Sequence, residues 1–399
     1  MLDDAALQQI LDDWADWSRQ PANNVPRGLV EQCVLSPEVV TVIQGVRRCG
    51  KSTLLRQLMH SHRISPDHAV FINFEDPRLV NDLDASLLDR IYRLATTRSS
   101  RRLSFFLDEI QNVALWQKWL NTQLEMGSGH CFVVTGSNSQ LLGGELASSL
   151  TGRHLRHELF PFDLDEFRSL IPSGTLEQYV RRGGFPAALD FPQPERLLQQ
   201  YFLDIVEKDI RERVSAKSSR PLQAVAKMVL ESVGSELSLR RIAGSVQLSP
   251  ETVSHYLQAC EAAYLIFSCP YFTYSETKRV RHNRKYYAID TGLRRVISTT
   301  GGQDLGKDFE NLVYLLLRRK TAEISYWKGK GEVDFVVNGE HGVTPIQVTY
   351  GEPQPRHYDA LEEFYQHFPH ANEAVFVAPD SLNELERACP GVCRDMKRG

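Results

Sequence analysis

The chain has 399 residues. Because single hydrophobic cores stop growing well below that length, we expect at least two domains. The composition, 42% hydrophobic and 24% charged residues, is that of a soluble globular protein and excludes a fibrous or disordered chain. The formal net charge of -4 excludes a uniformly basic nucleic-acid-binding protein, although a local basic stripe is compatible with that role.

Cysteine spacing and hydropathy predict the cellular compartment. The seven cysteines are scattered and form no C-x-x-C pair, so they indicate neither a disulfide framework nor a zinc site. No apolar run is long enough to cross a bilayer, and the N-terminal residues are acidic where a signal peptide would be basic. We therefore expect a cytoplasmic protein with reduced thiols and no membrane association.

The first segment of the chain has helical periodicity. Leu7, Ile10, Leu11 and Trp14 recur at helical spacing, which predicts an amphipathic helix that ends before Pro21. We interpret this helix as a lid or a brace on the domain that follows.

From Val39 onwards, short β-branched runs alternate with longer helical stretches. This alternation predicts a parallel sheet with crossover helices, an α/β fold. Each run is too short for a helix and is followed by turn or acidic residues, as in fully buried central strands. The predicted strands are residues 39–44, 69–74, 103–107 and 131–135.

A phosphate-binding motif follows the first predicted strand. Residues 45–52 match G-x-x-x-x-G-K-[ST], with an apolar helix after them. The glycines let main-chain N–H groups wrap a phosphate at a helix N-terminus, while Lys51 reaches the β- and γ-phosphates and Ser52 ligates Mg²⁺. The motif predicts an ATP-Mg²⁺ site; the alternative is a simple Gly-rich turn. The predicted binding residues are Gly45, Val46, Arg47, Arg48, Cys49, Gly50, Lys51, Ser52 and Thr53.

Cys49 lies inside this loop. A nearby helix N-terminus can lower a thiol pKa, which would make nucleotide binding redox-sensitive. The alternative, which we favour, is a small residue that fills a variable position.

Two carboxylates end the third predicted strand. Residues 103–107 are followed by Asp108 and Glu109, as expected of a Walker B strand beside the phosphate loop. Asp108 is predicted to hold Mg²⁺ and Glu109 to polarise the attacking water as general base. The alternative is that the pair caps a helix.

Two further segments could complete a hydrolytic site. Ser137 and Asn138 follow the fourth predicted strand, where Asn138 or Ser137 would hydrogen-bond the γ-phosphate or the lytic water, as a sensor does. Arg153 would reach a phosphate of its own chain or of a neighbouring subunit, which would imply a homo-oligomer. The alternative for Arg153 is a solvated or structurally paired arginine.

The alternation stops after Phe167, and the chain becomes mainly helical. Residues 237–246 and 251–262 read as two helices joined by a Ser-Pro turn, the spacing of a helix-turn-helix. A basic stretch follows where a wing would lie. It would contact DNA phosphates or, alternatively, pack on protein. Its predicted DNA-contacting cations are Lys278, Arg279, Arg281, Arg284 and Lys285.

The last hundred residues mix one helix, 308–320, with three strand-like runs, which predicts a second α/β unit. The predicted division of the chain is 1–36 (helical segment), 37–170 (ATPase core), 171–217 (helical connector), 218–298 (winged helix) and 299–399 (tail).

Taken together, these segments resemble a family of bacterial and archaeal AAA-like ATPases that carry a C-terminal domain of unknown function. The resemblance covers nearly the whole chain, and it implies a P-loop NTPase core, a winged helix-turn-helix and a restriction-endonuclease-like tail. It rests on the segments GVRRCGKST, FFLDEIQ, TGSNSQLL, LTGRHLRHELFPFDLDEF, RRGGFPAAL, KYYAIDTGL and GEVDFVV.

The resemblance to a nuclease-like fold implies a site in the tail. That fold uses an acidic residue on a helix, an Asp at a strand start and an E-x-K on the next strand, and Glu310, Asp334 and Gln347 match those places. Gln347 is a weaker, neutral ligand and Thr349 supplies no cation. We therefore expect a vestigial nuclease site, retained as a structural or DNA-docking module.

Three functions follow from these patterns. The first is an ATPase whose nucleotide state controls C-terminal modules that dock on DNA. The second is a nucleotide-gated protein-interaction switch with no nucleic-acid role. The third is an ATP-dependent nuclease.

Overall fold

A computed structural model describes residues 2–20, 25–99, 101–139, 141, 150, 152–216, 218–299, 304–339 and 342–390. The chain forms two compact units, Met1–Leu159 and Phe160–Gly399. The N-terminal segment therefore belongs to the same compact unit as the sheet that follows it, and the five-part division stays a prediction. Within the described ranges, no helix is both long and apolar enough to span a bilayer.

The first unit contains four α-helices and five strands among its described residues. Its helices are α1 Asp4–Arg19, α2 Lys51–Ser61, α3 Ala85–Arg98 and α4 Trp116–Glu125. Its strands are β1 Val40–Gln44, β2 Ala69–Asn73, β3 Ser104–Asp108, β4 Cys131–Gly136 and β5 His154–Glu158. Short 3-10 turns occur at Gly28–Gln32, Pro66–His68, Pro77–Leu79 and Ile110–Asn112.

The second unit begins with helices and ends with a mixed sheet. Its helices are α5 Leu164–Leu170, α6 Leu176–Arg182, α7 Pro186–Leu189, α8 Pro194–Asp204, α9 Glu212–Val214, α10 Ser219–Glu231, α11 Leu239–Val246, α12 Pro250–Ala262, α13 Glu276–Arg281, α14 Thr291–Ile297, α15 Leu305–Arg318, α16 Pro355–His367 and α17 Leu385–Ala388. A π-helical segment, Ile205–Arg211, joins α8 to α9, and a 3-10 turn precedes α17 at Leu382–Glu384. Its strands are β6 Glu236–Leu237, β7 Ile266–Cys269, β8 Arg284–Ala288, β9 Ile324–Lys328, β10 Glu332–Gly339, β11 Gly342–Val348 and β12 Val375–Val377.

The sheet of the first unit is all parallel, in the order β2-β3-β4-β1-β5. The four predicted strands are confirmed, and β1, β3 and β4 are buried at every residue. Strand β5 was not predicted, because it lies at the edge of the sheet and its polar sequence HLRHE, half-buried to exposed, forms no apolar run. The core is therefore the P-loop NTPase type of α/β fold that the motifs indicate.

Helix α1 packs on this sheet as a brace. Its apolar face buries Leu7 and Ile10 in the core of the first unit. Trp14 and Trp17 contact the ring of Phe71 on β2, with centroid distances of 6.1 and 5.2 Å. The predicted amphipathic helix is confirmed, and its packing on β2 explains why it shares a unit with the sheet.

The middle of the second unit has the element order expected of a winged helix-turn-helix. Helix α10 is followed by β6, α11, α12, β7 and β8, and the strands form an antiparallel sheet in the order β6-β8-β7. Ser249 caps α12 by accepting a hydrogen bond from the N–H of Thr252 at 3.1 Å. The basic stretch differs from the prediction, since the segment between β7 and β8 carries the short helix α13.

The tail packs around a four-stranded sheet in the order β12-β11-β10-β9, in which only β11 and β12 run parallel. The described residues of the tail form four strands, where three were predicted. Phe272, from the segment between β7 and β8, lies in the same core cluster as Trp327 and Phe364 of the tail. The predicted winged helix and the tail therefore share apolar packing within one compact unit.

A buried carboxylate joins two glycine-containing segments of the second unit. Asp290 accepts hydrogen bonds from the N–H groups of Gly184 at 2.6 Å and Leu293 at 2.7 Å. Burial raises the pKa of Asp290 to about 6. Gly183 has a φ of 73°, and a Cβ there would lie 2.2 Å from Asp290 Oδ1, so both its conformation and its contact require glycine.

We expect Asp290→Ala to lower the free energy of unfolding of the second unit by about 2–5 kcal/mol, because it leaves two buried N–H groups without an acceptor. Chemical denaturation measures this change. The matched control is Asp304→Ala, which removes the exposed N-cap of α15 that accepts from Lys307 N–H at 3.0 Å and should cost about 1 kcal/mol. Equal losses in the two variants would contradict a special role for Asp290.

Candidate functional site

The candidate site lies at the carboxyl edge of the parallel sheet. Strands β1, β2, β3 and β4 end there at Gln44, Asn73, Asp108 and Gly136, and the ends of parallel strands meet at one edge of a sheet. The predicted Walker B strand β3 is not the direct neighbour of β1, since β4 lies between them. The carboxylates nevertheless reach the phosphate loop because all these strands run in the same direction.

Backbone geometry explains the glycines of the loop between β1 and α2. Gly50, which precedes α2, has a φ of 101°, a conformation that favours glycine. A Cβ on Gly45 would lie 2.2 Å from the carbonyl oxygen of Leu159, so only glycine fits there. Arg48 is also left-handed, with a φ of 71°. The loop is thus held in one shape directly before the N-terminus of an eleven-residue helix.

Lys51 is the first residue of α2 and is buried, with 5% of its surface exposed. Its Nζ donates to the carbonyl oxygen of Gly45 at 3.3 Å and lies 3.1 Å from Glu109 Oε1. Burial alone would lower the pKa of Lys51, but the charges of Glu109 and Asp108 raise it. Lys51 is therefore an ammonium group inside the site.

Asp108 is fully buried and accepts three side-chain hydrogen bonds. Ser52 Oγ donates to Oδ2 at 2.5 Å, Asn73 Nδ2 donates to Oδ2 at 2.9 Å, and Thr135 Oγ1 donates to Oδ1 at 2.5 Å. Burial, together with the neighbouring charge of Glu109, raises the pKa of Asp108 to about 6. Hydroxyl and carboxylate oxygens are ligands that Mg²⁺ prefers, so the adjacent Ser52 and Asp108 fit that ion.

Glu109 has both carboxylate oxygens held in place. Oε1 faces Lys51, and Oε2 accepts a hydrogen bond from Gln111 Nε2 at 2.5 Å. Burial would raise the pKa of Glu109, but Lys51 and the bond from Gln111 hold it below its ordinary value. Its backbone is left-handed, with a φ of 54°, and its side chain forms no capping bond with the turn that follows. For Glu109, the helix-capping alternative is therefore wrong.

Four residues of the site were missed by sequence reasoning. Asn73 and Thr135 bind Asp108, Gln111 binds Glu109, and Arg27 Nη1 donates to the carbonyl oxygen of Cys49 at 2.9 Å. Asn73 and Thr135 could have been found, because each is a polar residue at the end of an apolar strand. Arg27 gives no such signal, since its partner lies 22 residues away.

The other predicted residues of the loop have identifiable surroundings. Val46 is buried, and Arg47 Nη1 lies 2.7 Å from Glu75 Oε1. Cys49 is fully buried, and burial raises the pKa of its thiol, which favours the space-filling role over the redox role. Thr53 is half-buried in the first turn of α2.

Ser137 and Asn138 follow β4 directly, so they lie at the same edge of the sheet as Asp108. Their predicted sensor role stays a prediction.

Arg153 lies at the amino ends of the strands, on the side of the sheet opposite the phosphate loop. Its carbonyl oxygen accepts from the N–H of Val40, the first residue of β1, and it immediately precedes β5, whose five residues span ~16 Å at about 3.3 Å per residue. Its Nη1 lies 3.3 Å from Asn121 Oδ1 and 3.6 Å from Glu125 Oε1. The expectation that Arg153 reaches a phosphate of its own chain is therefore wrong, since parallel strands put the loop at the far end.

The predicted DNA-contacting cations divide into two groups. Lys278, Arg281 and Arg284 are exposed, and Arg279 is partly buried with Nη1 3.2 Å from Glu276 Oε2. Lys285 has no exposed surface and pairs with Glu332 Oε1 at 2.5 Å. The expectation that Lys285 contacts DNA is wrong, because its ammonium group is enclosed by protein.

The predicted nuclease-like residues come from three elements of the tail, Glu310 from α15, Asp334 from β10 and Gln347 from β11. Asp334 Oδ2 accepts from Val348 N–H at 2.8 Å, and Gln347 Nε2 donates to the carbonyl oxygen of Glu332 at 3.3 Å. In the part of the chain that the structure describes, no group of three or more His, Cys, Asp or Glu side chains is arranged to hold a metal ion.

Comparison with protein families matches three consecutive stretches of the chain. Residues 38–168 match the family described as AAA domain. Residues 173–304 and 305–390 match two families described as domains of unknown function, DUF8612 and DUF4143.

Relatives that align with about four-fifths of the chain occur in a bacterium and an archaeon. The chain is 30% identical to an uncharacterized protein of Haemophilus influenzae over 339 residues, which covers 80% of this chain and 84% of that protein. It is 33% identical to uncharacterized protein MJ1544 of Methanocaldococcus jannaschii over 344 residues, 79% of this chain and 76% of that protein.

Among solved structures, the replication initiator DnaA bound to AMPPCP and single-stranded DNA is 16% identical and covers 58% of this chain and 85% of that one, with a TM-score of 0.29. That similarity is too weak for a comparison of individual sites. The two relatives, by contrast, align along about four-fifths of this chain. The chain therefore belongs to the family of AAA-domain proteins whose C-terminal domains are of unknown function.

Proposed function

We propose that the first unit binds ATP with Mg²⁺ and hydrolyses the ATP. One observation carries this proposal: two side-chain pairs, Ser52 with Asp108 at 2.5 Å and Lys51 with Glu109 at 3.1 Å, lie at the start of α2. They combine a hydroxyl, two carboxylates and an ammonium group, which are the parts that phosphoryl transfer to water requires.

The phosphate chain would be bound by the loop and by Lys51. Main-chain N–H groups at a helix N-terminus favour an anion, and the left-handed Gly50 lets the backbone turn towards it. Lys51 balances the charge of the β- and γ-phosphates. Ser52 and Asp108 would hold Mg²⁺, which supplies charge neutralisation during transfer.

Glu109 is the proposed general base. Its two oxygens are fixed by Lys51 and by Gln111 at 2.5 Å, and a fixed carboxylate can orient a water molecule and accept its proton. Asn138 would contact the γ-phosphate or that water. Arg153, which is 44% exposed, would act only on the nucleotide of a second copy of the chain, so this role requires a homo-oligomer. We further infer that the nucleotide state controls the second unit.

We expect Lys51→Ala to weaken ATP binding by roughly 10- to 100-fold, because it removes a charge-assisted bond to phosphate. Isothermal titration calorimetry of the full chain with Mg²⁺ and ATP measures the change. Lys118→Ala, at an exposed position of the same unit, should bind like the unaltered protein. If the unaltered protein released no heat with millimolar ATP, nucleotide binding itself would be refuted.

We expect Glu109→Gln to bind ATP but to release phosphate roughly 10²- to 10⁴-fold more slowly, since the amide cannot accept the proton of water. Steady-state phosphate release, with retained ATP counted on a filter, separates the two effects. Glu38→Gln, at an exposed site, is the matched control. Turnover of Glu109→Gln at the unaltered rate would mean that another group is the base.

A second candidate function is DNA binding by the segment between β7 and β8. Lys278, Arg281 and Arg284 are exposed there, close in sequence to Tyr274, which is 79% exposed. Exposed cations and an exposed aromatic ring in one segment suit a nucleic-acid backbone with a stacked base. Arg240 and Arg241 on α11 are two further exposed cations of the predicted winged helix.

We expect Lys278→Ala combined with Arg281→Ala to weaken binding of a DNA duplex and to reduce the slope of log K against log salt by about 1.8, the loss of two phosphate contacts. Gel-shift titration over a range of salt concentrations measures both. Arg181→Ala combined with Arg387→Ala removes the same charge from exposed positions of the same unit and should leave the slope unchanged. No shift with any DNA at low salt would favour the protein-interaction switch.

A further inference from the structure

Three carboxylates of the second unit surround one buried lysine. Lys285, on β8, has no exposed surface, and its Nζ lies 2.5 Å from Glu332 Oε1 and 3.6 Å from Glu310 Oε1. Asp334 on β10 is close enough for its charge to act on the same lysine. We call Lys285, Glu310, Glu332 and Asp334 the lysine-centred cluster.

Two further hydrogen bonds reach the carboxylates of this cluster, one from β8 and one from β11. Tyr287 OH, on β8, donates to Glu310 Oε1 at 2.7 Å. The N–H of Val348 donates to Asp334 Oδ2 at 2.8 Å. A Cβ on Gly234 would lie 2.8 Å from Glu310 Oε2, so the absence of a side chain there leaves room for the carboxylate.

The charge of Lys285 is compensated by its acidic neighbours. Burial alone would lower the pKa of Lys285, but the carboxylates of Glu310 and Glu332 raise it. The Lys285 ammonium therefore faces carboxylate groups from both α15 and β10, and a buried charge is stable only when it is paired.

The residues present do not fit the divalent metal ion that a nuclease-like fold implies. A divalent ion held by Glu310 would lie beside the ammonium of Lys285, since Glu310 Oε1 faces the hydroxyl of Tyr287 and that ammonium, and like charges at short range repel each other. Gln347 and Thr349 stand where an E-x-K would supply a ligand and a cation. The described residues also offer no metal-holding group of His, Cys, Asp or Glu.

We propose that Lys285 is the resident cation of this acidic cluster, takes the place of a divalent metal ion and fastens β8 to α15 and β10. The tail is then a metal-independent structural module that cleaves no phosphodiester. Lys285 belongs to the antiparallel sheet β6-β8-β7, and the acidic residues belong to the tail. The predicted winged helix therefore supplies the positive charge that pairs with the carboxylates of the tail.

A second contact supports this fastening. Asn311 on α15 is buried and forms two hydrogen bonds with the main chain of Ala288 on β8, accepting at 2.7 Å and donating at 3.0 Å. The rings of Tyr287 and Tyr314 stack beside it at a centroid distance of 4.2 Å. These contacts hold α15 against β8 beside the cluster, and they therefore keep Glu310 close to Lys285.

The first experiment replaces the lysine in the full chain. Lys285→Met keeps the length of the side chain and removes its charge, leaving the partly buried Glu310 and Glu332 without this cation, and we expect the melting temperature of the second unit to fall by roughly 6–20 °C. Lys328→Met is the matched control, since Lys328 lies 3.8 Å from the same Glu332 but is 48% exposed; its melting temperature should change little. Adding Glu332→Gln to Lys285→Met should recover part of the loss. Equal melting temperatures for the two lysine variants would overturn the proposal.

The second experiment needs no change at Lys285. Mn²⁺ is titrated against Ser52→Ala, a background chosen to weaken the proposed metal site of the first unit, and bound ion is counted by electron paramagnetic resonance. We expect no saturable Mn²⁺ site that depends on Asp334, so Ser52→Ala and Ser52→Ala/Asp334→Asn should give the same titration. A bound Mn²⁺ that disappears with Asp334→Asn would show that the cluster holds a metal ion and that Lys285 does not replace it.

Discussion

A buried carboxylate must meet a cation or hydrogen-bond donors, and this requirement organises the candidate site. Asp108 is fully buried and accepts hydrogen bonds from Ser52, Asn73 and Thr135, while Glu109 pairs with Lys51. These partners come from the ends of β2 and β4 and from the start of α2, so the network forms only when the strands lie parallel in the order β2-β3-β4-β1. The sheet topology thus assembles the site, and the glycines of the loop shape its phosphate-facing side.

The second unit meets the same requirement in two other ways. Asp290 is satisfied by main-chain N–H groups, which hold the segment at Gly184 against the start of α14. Glu310 and Glu332 are satisfied by Lys285. The difference from the first unit is chemical. There, Lys51 pairs with Glu109 beside a hydroxyl group and a glycine-containing loop before a helix N-terminus, whereas here Lys285 pairs with Glu310 and Glu332 between a helix and two strands.

The basic stretch between β7 and β8 contains both buried and exposed residues, and composition alone could not distinguish them. At the start of this stretch, Phe272 is buried in the core of the tail. At its end, Lys285 on β8 forms an internal ion pair with Glu332. Only Lys278, Arg281 and Arg284 among the predicted cations are exposed. Of the two alternatives for this wing, packing on protein therefore holds for Phe272 and Lys285, and contact with DNA stays a proposal for the exposed cations.

The sequence by itself determined the local features of this protein. Periodicity identified α1 and the four central strands, because a buried helix face and a buried strand each leave a repeating apolar pattern. The motif at residues 45–52 identified the phosphate loop, because the local backbone conformation requires glycine at fixed positions within a few residues of one another. The tertiary structure alone decided which distant residues meet. It showed that β5 is a polar strand at the lateral edge of the sheet, and that Arg153 lies at the amino ends of the strands, away from the loop. It also showed that Lys285 is enclosed by protein. Strand order and packing between elements fix such contacts, and neither leaves a pattern in neighbouring residues.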